Sequence, residues 1–204
     1  MTRHARVNED QLGQYSRCVN AIADRLGKSL AFECVMAALQ RIHDGQFGTG
    51  SRIICIDRSL PFDSAEFIGK DWGVIEEDER SVALTEVDLS SVRLETCLRA
   101  ERYIPGETRL CRLKEAGYIR LDAKVFETLW RNQHLIPEGW KEKTYGYVTH
   151  VYFDGTLLRS PQGDRCVLCL YWLSGEWSWR YNWLGNDWEA DNPSAVIASL
   201  VSEP

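Results

Sequence analysis

The stretch Tyr145–Leu184, YGYVTHVYFDGTLLRSPQGDRCVLCLYWLSGEWSWRYNWL, has the clearest secondary-structure pattern in the chain. Its apolar residues form short runs or alternate with polar residues, which is typical of β-strands. The turn sequences Asp154-Gly155 and Ser174-Gly175 separate these runs, and Asp-Gly between apolar runs is a strong hairpin signal. The pattern predicts an antiparallel meander of four strands, Tyr147–Phe153, Thr156–Arg159, Arg165–Leu173 and Glu176–Leu184.

The region before the meander predicts a mixture of short elements. Asp122 is placed to cap a helix over 122–133, whose apolar face we expect to pack against the meander. A second helix is expected to end at Gly117. The other predicted elements are a strand buried on both faces at Arg52–Asp57, a β-hairpin of Trp72–Glu76 and Ser81–Val87 around an acidic turn, and a half-buried strand at Val92–Leu98. A short tail helix is expected to begin near Ser194.

The N-terminal part predicts a helical hairpin over residues 1–48. Apolar residues from Leu12 to Leu26 recur at steps of three and four, and Ser29 can cap a second amphipathic helix that ends before Gly45. Gln46–Gly50 is the best candidate for a linker. We therefore expect an α+β protein, with a continuous domain over 51–204 and the helical pair docked on it or used for homodimer formation.

Composition excludes an intrinsically disordered protein, a collagen-like repeat and a small disulfide-stabilised protein. The chain has 204 residues, of which 44% are hydrophobic and 26% charged, as in ordinary globular domains. Its formal charge is −6, and the mildly basic stretch over 102–124 is interrupted by acidic residues, so we expect no nucleic-acid partner. Seven scattered cysteines and a polar N-terminus favour a reduced, cytoplasmic protein with no membrane partner.

Four aromatic residues at alternate positions form the most informative feature of the sequence. Trp177, Trp179, Tyr181 and Trp183 should project from one face of a single strand. An exposed row of this kind could stack on sugars or nucleobases. The alternative is that the rings form the core between the sheet and the helix over 122–133, because each large ring removes about 150–250 Å² from water when buried.

Three short motifs favour structural roles over chemistry. Cys166 and Cys169 form a CxxC, but residues three apart on a strand point to opposite faces and cannot share a metal ion. The carboxylates of Asp187, Glu189 and Asp191 resemble the start of a calcium loop, although the later Gly and Glu are missing. The segment Leu26–Ser29 lacks the other residues of a phosphate-binding loop. We expect no metal and no cofactor.

Histidines and carboxylates offer a second, catalytic hypothesis. His150 lies mid-strand with Asp154 four residues on, and His134 follows the helix over 122–133. A small hydrolase-like enzyme could use His150 or His134 with a nearby acid. No nucleophile elbow supports this hypothesis, and a structural histidine is the simpler interpretation.

The amino-acid sequence of the central and C-terminal part is similar to that of a family of proteins. Three stretches resemble small uncharacterised proteins of reduced-genome, candidate-phylum bacteria: FIGKDWGVIEEDERSVALTEVDLSSVRLETCL (67–98), RLDAKVFETLWRNQHLIPEGWKEK (120–143) and FDGTLLRSPQGDRCVLCLYWLSGEWSWRYNWLGNDWEADNPSAVIAS (153–199). The resemblance covers about residues 62–200. That family has no assigned activity, so the resemblance implies no catalytic or binding residue.

The sequence thus favours a non-enzymatic binding or interaction protein. Its contact surface would be the aromatic meander or the apolar stripe of the helical hairpin. Its partner would be another protein or a small molecule.

Overall fold

A computed structural model describes residues 53–198 of the chain. Its strands are β1 (Ile53–Cys55), β2 (Gly73–Glu77), β3 (Glu86–Asp88), β4 (Arg93–Glu95), β5 (Ile104–Pro105), β6 (Ile119–Arg120), β7 (His150–Arg159), β8 (Arg165–Leu173), β9 (Glu176–Trp183), β10 (Asp187–Trp188) and β11 (Ser194–Ile197). Its helices are α1 (Ser64–Phe67), α2 (Glu79–Val82), α3 (Gly106–Glu115) and α4 (Ala123–Arg131), with 3₁₀ turns at Gln133–Leu135 and Glu138–Lys141. The predicted helical hairpin over 1–48 and the linker lie outside the described residues.

One mixed sheet organises these elements, in the order β4-β11-β7-β8-β9. The pairing of β11 with β7 is parallel, and every other strand pair is antiparallel. Strand β2 also pairs with β7, and β6 pairs with β11, while β1-β3 and β5-β10 form small separate pairs. The protein therefore combines α and β elements, as the sequence predicts.

The meander has three strands, β7, β8 and β9, so the prediction of four strands is wrong. Asp154-Gly155 lies inside β7, where the register with β8 shifts between Phe153 and Leu158. A Cβ at Gly155 would lie 2.6 Å from the carbonyl carbon of Leu121 and 2.7 Å from the nitrogen of Asp122. The glycine is needed because another backbone segment approaches here, and no turn forms. The Ser174-Gly175 turn between β8 and β9 is confirmed.

The tail helix predicted near Ser194 is also wrong, because this segment is strand β11. It lies inside the sheet, between β4 and β7, where Ala195 and Val196 are fully buried. The β-branched pair Val196 and Ile197 suits this environment. Pairing with strands far away in the sequence outweighs the local capping signal of Ser194.

The hairpin predicted for Trp72–Glu76 and Ser81–Val87 does not form. Strand β2 pairs with β7, β3 pairs with β1, and the short helix α2 lies between them, capped by the side chain of Asp78. The strand predicted at Arg52–Asp57 is confirmed as β1, although only Ile54 of its three residues is buried. The prediction that β1 is buried on both faces is wrong, because β1 belongs to a two-stranded pair with β3 and not to the main sheet.

Two helices cover the two faces of the main sheet. On the α4 face, Phe126 of α4 meets Phe153 of β7 with ring centroids 5.4 Å apart. Asp122 accepts hydrogen bonds from two backbone N–H groups of the first turn of α4, as predicted. On the α3 face, Leu110 of α3 packs in a second buried cluster. The members of that cluster are Leu110, Tyr152, Leu157, Val167, Cys169, Leu184 and Trp188.

Candidate functional site: the aromatic edge

The four aromatic residues of β9 lie on the α4 face at the outer edge of the sheet. We call Trp177, Trp179, Tyr181 and Trp183 the aromatic edge. Their exposure increases along the strand, because Trp177 is 6% exposed, Trp179 is half-buried, and Tyr181 and Trp183 are 40% and 48% exposed. The row is therefore neither wholly core nor wholly surface.

The N-terminal half of the aromatic edge is anchored in the core. The ring of Trp177 packs edge-on to Trp172 of β8, with centroids 5.4 Å apart. Trp179 lies 5.0 Å from the ring of Phe67 and 6.2 Å from that of Phe126. These aromatic contacts hold the strand in place and orient the residues that follow it.

The C-terminal half of the aromatic edge reaches solvent. Trp72, which precedes β2, packs against Tyr181 with ring centroids 4.5 Å apart. Beyond this pair, the ring of Trp183 is the most exposed tryptophan of the row. An open depression of about 460 Å³ surrounds this end of the strand and is lined by Trp179, Arg180, Tyr181, Asn182, Trp183 and Asn186.

Within residues 53–198, the backbone of β9 is paired on one side only. Strand β8 is its neighbour, with a register that runs without a shift from Cys166 opposite Trp183 to Leu173 opposite Glu176. The N–H of Leu184 donates to the carbonyl of Arg165. Because hydrogen-bonded positions alternate in an antiparallel pair, the even-numbered residues of β9 direct their backbone groups toward β8 and the aromatic residues direct theirs outward.

Three of these outward positions have no backbone partner among residues 53–198. Trp183 is satisfied locally, because its N–H donates to the side chain of Asn182 and its carbonyl accepts from the N–H of Asn186. The backbone N–H and C=O groups of Trp177, Trp179 and Tyr181 have no hydrogen-bond partner within residues 53–198. The aromatic edge thus offers unpaired backbone groups and exposed rings on the same residues.

The opposite face of β9 is polar. Ser178, Arg180 and Asn182 alternate with the aromatic residues, as predicted, and Asn182 donates a hydrogen bond to the hydroxyl of Tyr152. The guanidinium of Arg180 lies 5.9 Å from the ring centroid of Tyr171. This face carries one acidic and one basic side chain, Glu176 and Arg180, along the length of the strand.

The structure does not bring the predicted catalytic groups together. His150 lies on the α3 face against Tyr171, with ring centroids 4.8 Å apart, while His134 is exposed in the 3₁₀ turn after α4. Asp154 is four residues along the strand from His150, which is about 13 Å in extended backbone. Its carboxylate is buried and accepts a hydrogen bond from Arg109.

The imidazole of His150 is poorly suited to proton transfer near neutral pH. Burial, together with the positive charge of Arg180, lowers its pKa to about 4, against a smaller opposing effect of the Val148 backbone. The buried Nδ1 has no hydrogen-bond partner in the described part of the chain. These features suit a structural histidine.

The cysteines of the CxxC lie on opposite faces of β8, as the strand period predicts. Cys166 belongs to the cluster under α4, and Cys169 belongs to the cluster under α3. Burial raises the pKa of Cys166 to about 12 and that of Cys169 to about 11. Neither thiol is a ready nucleophile.

The three carboxylates after β9 lie on a short strand and on the turn that follows it. Asp187 begins β10, and Glu189 and Asn192 form a turn through two hydrogen bonds. Within residues 53–198 no group of three His, Cys, Asp or Glu side chains is arranged to hold a metal ion.

Sequence reasoning missed a network of ion pairs. All six cations of the basic stretch over 102–124 lie within 4 Å of a carboxylate, as the pairs Arg102–Glu189, Arg109–Asp154, Arg112–Glu101, Lys114–Glu76, Arg120–Asp78 and Lys124–Glu127. Burial opposes the ionisation of Glu76, yet the hydrogen bond and charge of Lys114 lower its pKa. One signal of the Arg109–Asp154 pair was available in the sequence. Arg109 and Leu113 are four residues apart on α3, so Arg109 lies on the apolar face of the helix, where an arginine needs a carboxylate partner.

Comparison of the chain with models of protein families, with curated proteins and with solved structures finds no match. No helix within residues 53–198 is long and apolar enough to cross a membrane.

Proposed function

We propose that this protein is a non-enzymatic interaction module that binds an extended polypeptide along the aromatic edge. The observation that carries the proposal is the set of backbone groups at Trp177, Trp179 and Tyr181 that have no partner within residues 53–198, beside the exposed rings of Tyr181 and Trp183. An extended peptide can add a strand to a sheet edge, where main-chain hydrogen bonds give affinity and side-chain contacts give specificity.

The buried half of the aromatic edge supports this function by pre-organising the exposed half. Trp177 and Trp179 fix the strand against the core, so little conformational entropy remains to be lost when a partner binds. Tyrosine and tryptophan are also the residues most enriched in binding hot spots. The exposed end of β9 therefore has both the rigidity and the composition of a contact surface.

The charge pattern favours a polypeptide over a nucleic acid. A nucleic-acid surface needs unpaired Lys and Arg side chains that contact phosphates. The cations of the basic stretch are held by carboxylates, and β9 itself carries a single arginine. A polypeptide partner needs no surplus of positive charge.

Two further parts of the proposal concern the rest of the chain. We propose that residues 1–48, which lie outside the described residues, form a helical hairpin that offers a second contact surface. We also propose a cytoplasmic protein, and the free thiols of Cys97, Cys111, Cys166 and Cys169 support a reducing compartment.

Selection of peptides from a displayed library of random dodecamers tests the proposed function. The full chain is the target, and two variants provide the comparison. Tyr181→Thr and Tyr181→Pro both remove the ring, but only proline removes the outward N–H, which β8 does not use. Circular dichroism should confirm that both variants keep the parent fold.

Peptides that bind by strand addition should distinguish these two variants. We expect selected peptides to bind the Thr variant more weakly than the parent, and the Pro variant at least about tenfold more weakly than the Thr variant, because a main-chain hydrogen bond is lost. Equal affinity for the two variants, or no enriched peptide when the target chain is monomeric at the concentration of the selection, would contradict the proposal.

A further inference from the structure

The outer edge of β9 lacks the shortness, the bulge and the proline that normally prevent strands from pairing with other chains. Natural edge strands are kept short, bulged, or interrupted by proline and inward-pointing charges. Strand β9 has eight residues, contains no proline, and pairs with β8 without a register shift. Such an edge is expected to be covered in the working protein.

The outward backbone groups of β9 are complementary to a second copy of the same strand. In an antiparallel pair, residues that exchange hydrogen bonds must both direct their backbone groups toward the partner. One register places Trp179 opposite Trp179 of the second copy and Trp177 opposite Tyr181 of the second copy. In this register the backbone groups at all three unpaired positions form hydrogen bonds with the second copy. A shift of two residues in either direction leaves one of these positions in each copy without an unpaired position opposite it.

The charges on the polar face favour the same register. Arg180 lies opposite Ser178 of the second copy, and its two diagonal neighbours there are Glu176 and Arg180, so the two arginines are offset from each other. If the second strand were shifted by two residues, so that Arg180 of one copy paired with Arg180 of the other, the two positive charges would lie directly opposite each other, which is unfavourable. The self-paired strand therefore satisfies backbone and side-chain groups together.

We infer that the partner of the aromatic edge is a second copy of this chain, joined through antiparallel β9 strands with the two-fold axis at Trp179. This inference rests on the proposed function, because it names the polypeptide strand that the edge binds. Two meanders would then form one continuous sheet. The exposed rings of Tyr181 would lie beside the Trp177 rings of the opposite copy.

The mass of the full chain measured across a concentration series, by analytical ultracentrifugation, tests this inference. We expect a dimer in the parent chain. Ser178→Lys should raise the dimer dissociation constant about tenfold and Ser178→Glu should lower it about tenfold, because residue 178 meets Arg180 of the other copy twice per dimer. The opposite signs separate this effect from a loss of folding.

Hydrogen exchange provides an independent measurement of the register. The amides of Trp177, Trp179 and Tyr181 should gain protection as the concentration rises, and Tyr181→Pro should weaken the dimer more than Tyr181→Thr. A dimer that responds only to Leu12→Glu combined with Val19→Glu would place the interface on the N-terminal residues and overturn the inference.

Failure of the dimer is distinguishable from failure of the proposed function. A chain that stays monomeric at about 200 µM could still bind selected peptides more tightly as Tyr181→Thr than as Tyr181→Pro. That result would refute self-pairing and leave strand addition intact. A monomer that selects no such peptide would refute both.

Discussion

Arg109 of α3 donates a 2.5 Å hydrogen bond to the carboxylate of Asp154 in β7, and both side chains are buried. The same guanidinium donates to the carbonyl of Asn192 and lies 3.7 Å from the ring centroid of Trp188. One side chain thus connects α3, the middle of the sheet and the segment before β11. The pair is a structural element, and it removes Asp154 from any role beside His150.

Removing one member of this pair should destabilise the protein strongly. Asp154→Ala leaves the Arg109 guanidinium buried without its carboxylate, and we expect a loss of about 3–5 kcal/mol in the free energy of unfolding. Urea unfolding monitored by tryptophan fluorescence measures the loss. The double variant Arg109→Met with Asp154→Leu should be more stable than Asp154→Ala, because it buries no unpaired charge; an equally unstable double variant would contradict this account.

The gradient along the aromatic edge predicts opposite outcomes at its two ends. Trp177→Ala should lower the unfolding free energy by about 3–5 kcal/mol, because it opens a cavity in a packed core. Trp183→Ala, at a ring that is 48% exposed, should lower it by less than about 1 kcal/mol. Thermal unfolding of the two variants compares them, and similar losses at both ends would show that the row is uniform.

The elements that the sequence predicts well are those whose signals are local. The cap at Asp122, the helix ending at Gly117 and the two-residue turn at Ser174-Gly175 depend on residues within a few positions of each other. The period of two likewise places Cys166 and Cys169 on opposite faces of β8 without any knowledge of the sheet. Such features need no tertiary information.

The failed predictions all depend on pairing between distant segments. Ser194 looks like a helix cap, yet Ala195 and Val196 pair with β4, about a hundred residues earlier. Asp154-Gly155 looks like a turn, yet Gly155 is where the segment at Leu121 approaches β7. For the site, the aromatic row could be predicted, but its exposure depends on which rings Phe67, Phe126 and Trp72 cover, and no local pattern encodes that.

Gly155 offers a direct test of this close approach. The N–H of Gly155 donates to the carbonyl of Leu121, and its carbonyl accepts from the N–H of Asp78. Gly155→Ala should force the two backbones apart and lower the unfolding free energy by about 3 kcal/mol or more. Gly139→Ala is the matched control, since a Cβ there meets nothing within 4 Å; a similar loss in both variants would refute the steric explanation.

His150 should make the stability of the protein depend on pH in a defined window. Its pKa is lowered to about 4 by burial and by Arg180, whereas an unfolded histidine titrates near its ordinary value of 6.5. Between these values the unfolded chain binds a proton that the folded chain does not. The stabilisation is therefore complete above about pH 6.5 and decreases as the pH falls toward 4.

A comparison of the parent with His150→Gln isolates this contribution, because the carboxylates that also titrate in this range are common to both chains. We expect the parent to lose about 1–2 kcal/mol relative to the variant between pH 7 and pH 4, a figure that allows for the solvent-exposed part of the ring. Urea unfolding at a series of pH values gives the two profiles. Parallel profiles would mean that His150 titrates alike in the folded and unfolded chains, and an NMR titration of its imidazole with a midpoint above 6 would point to the same conclusion.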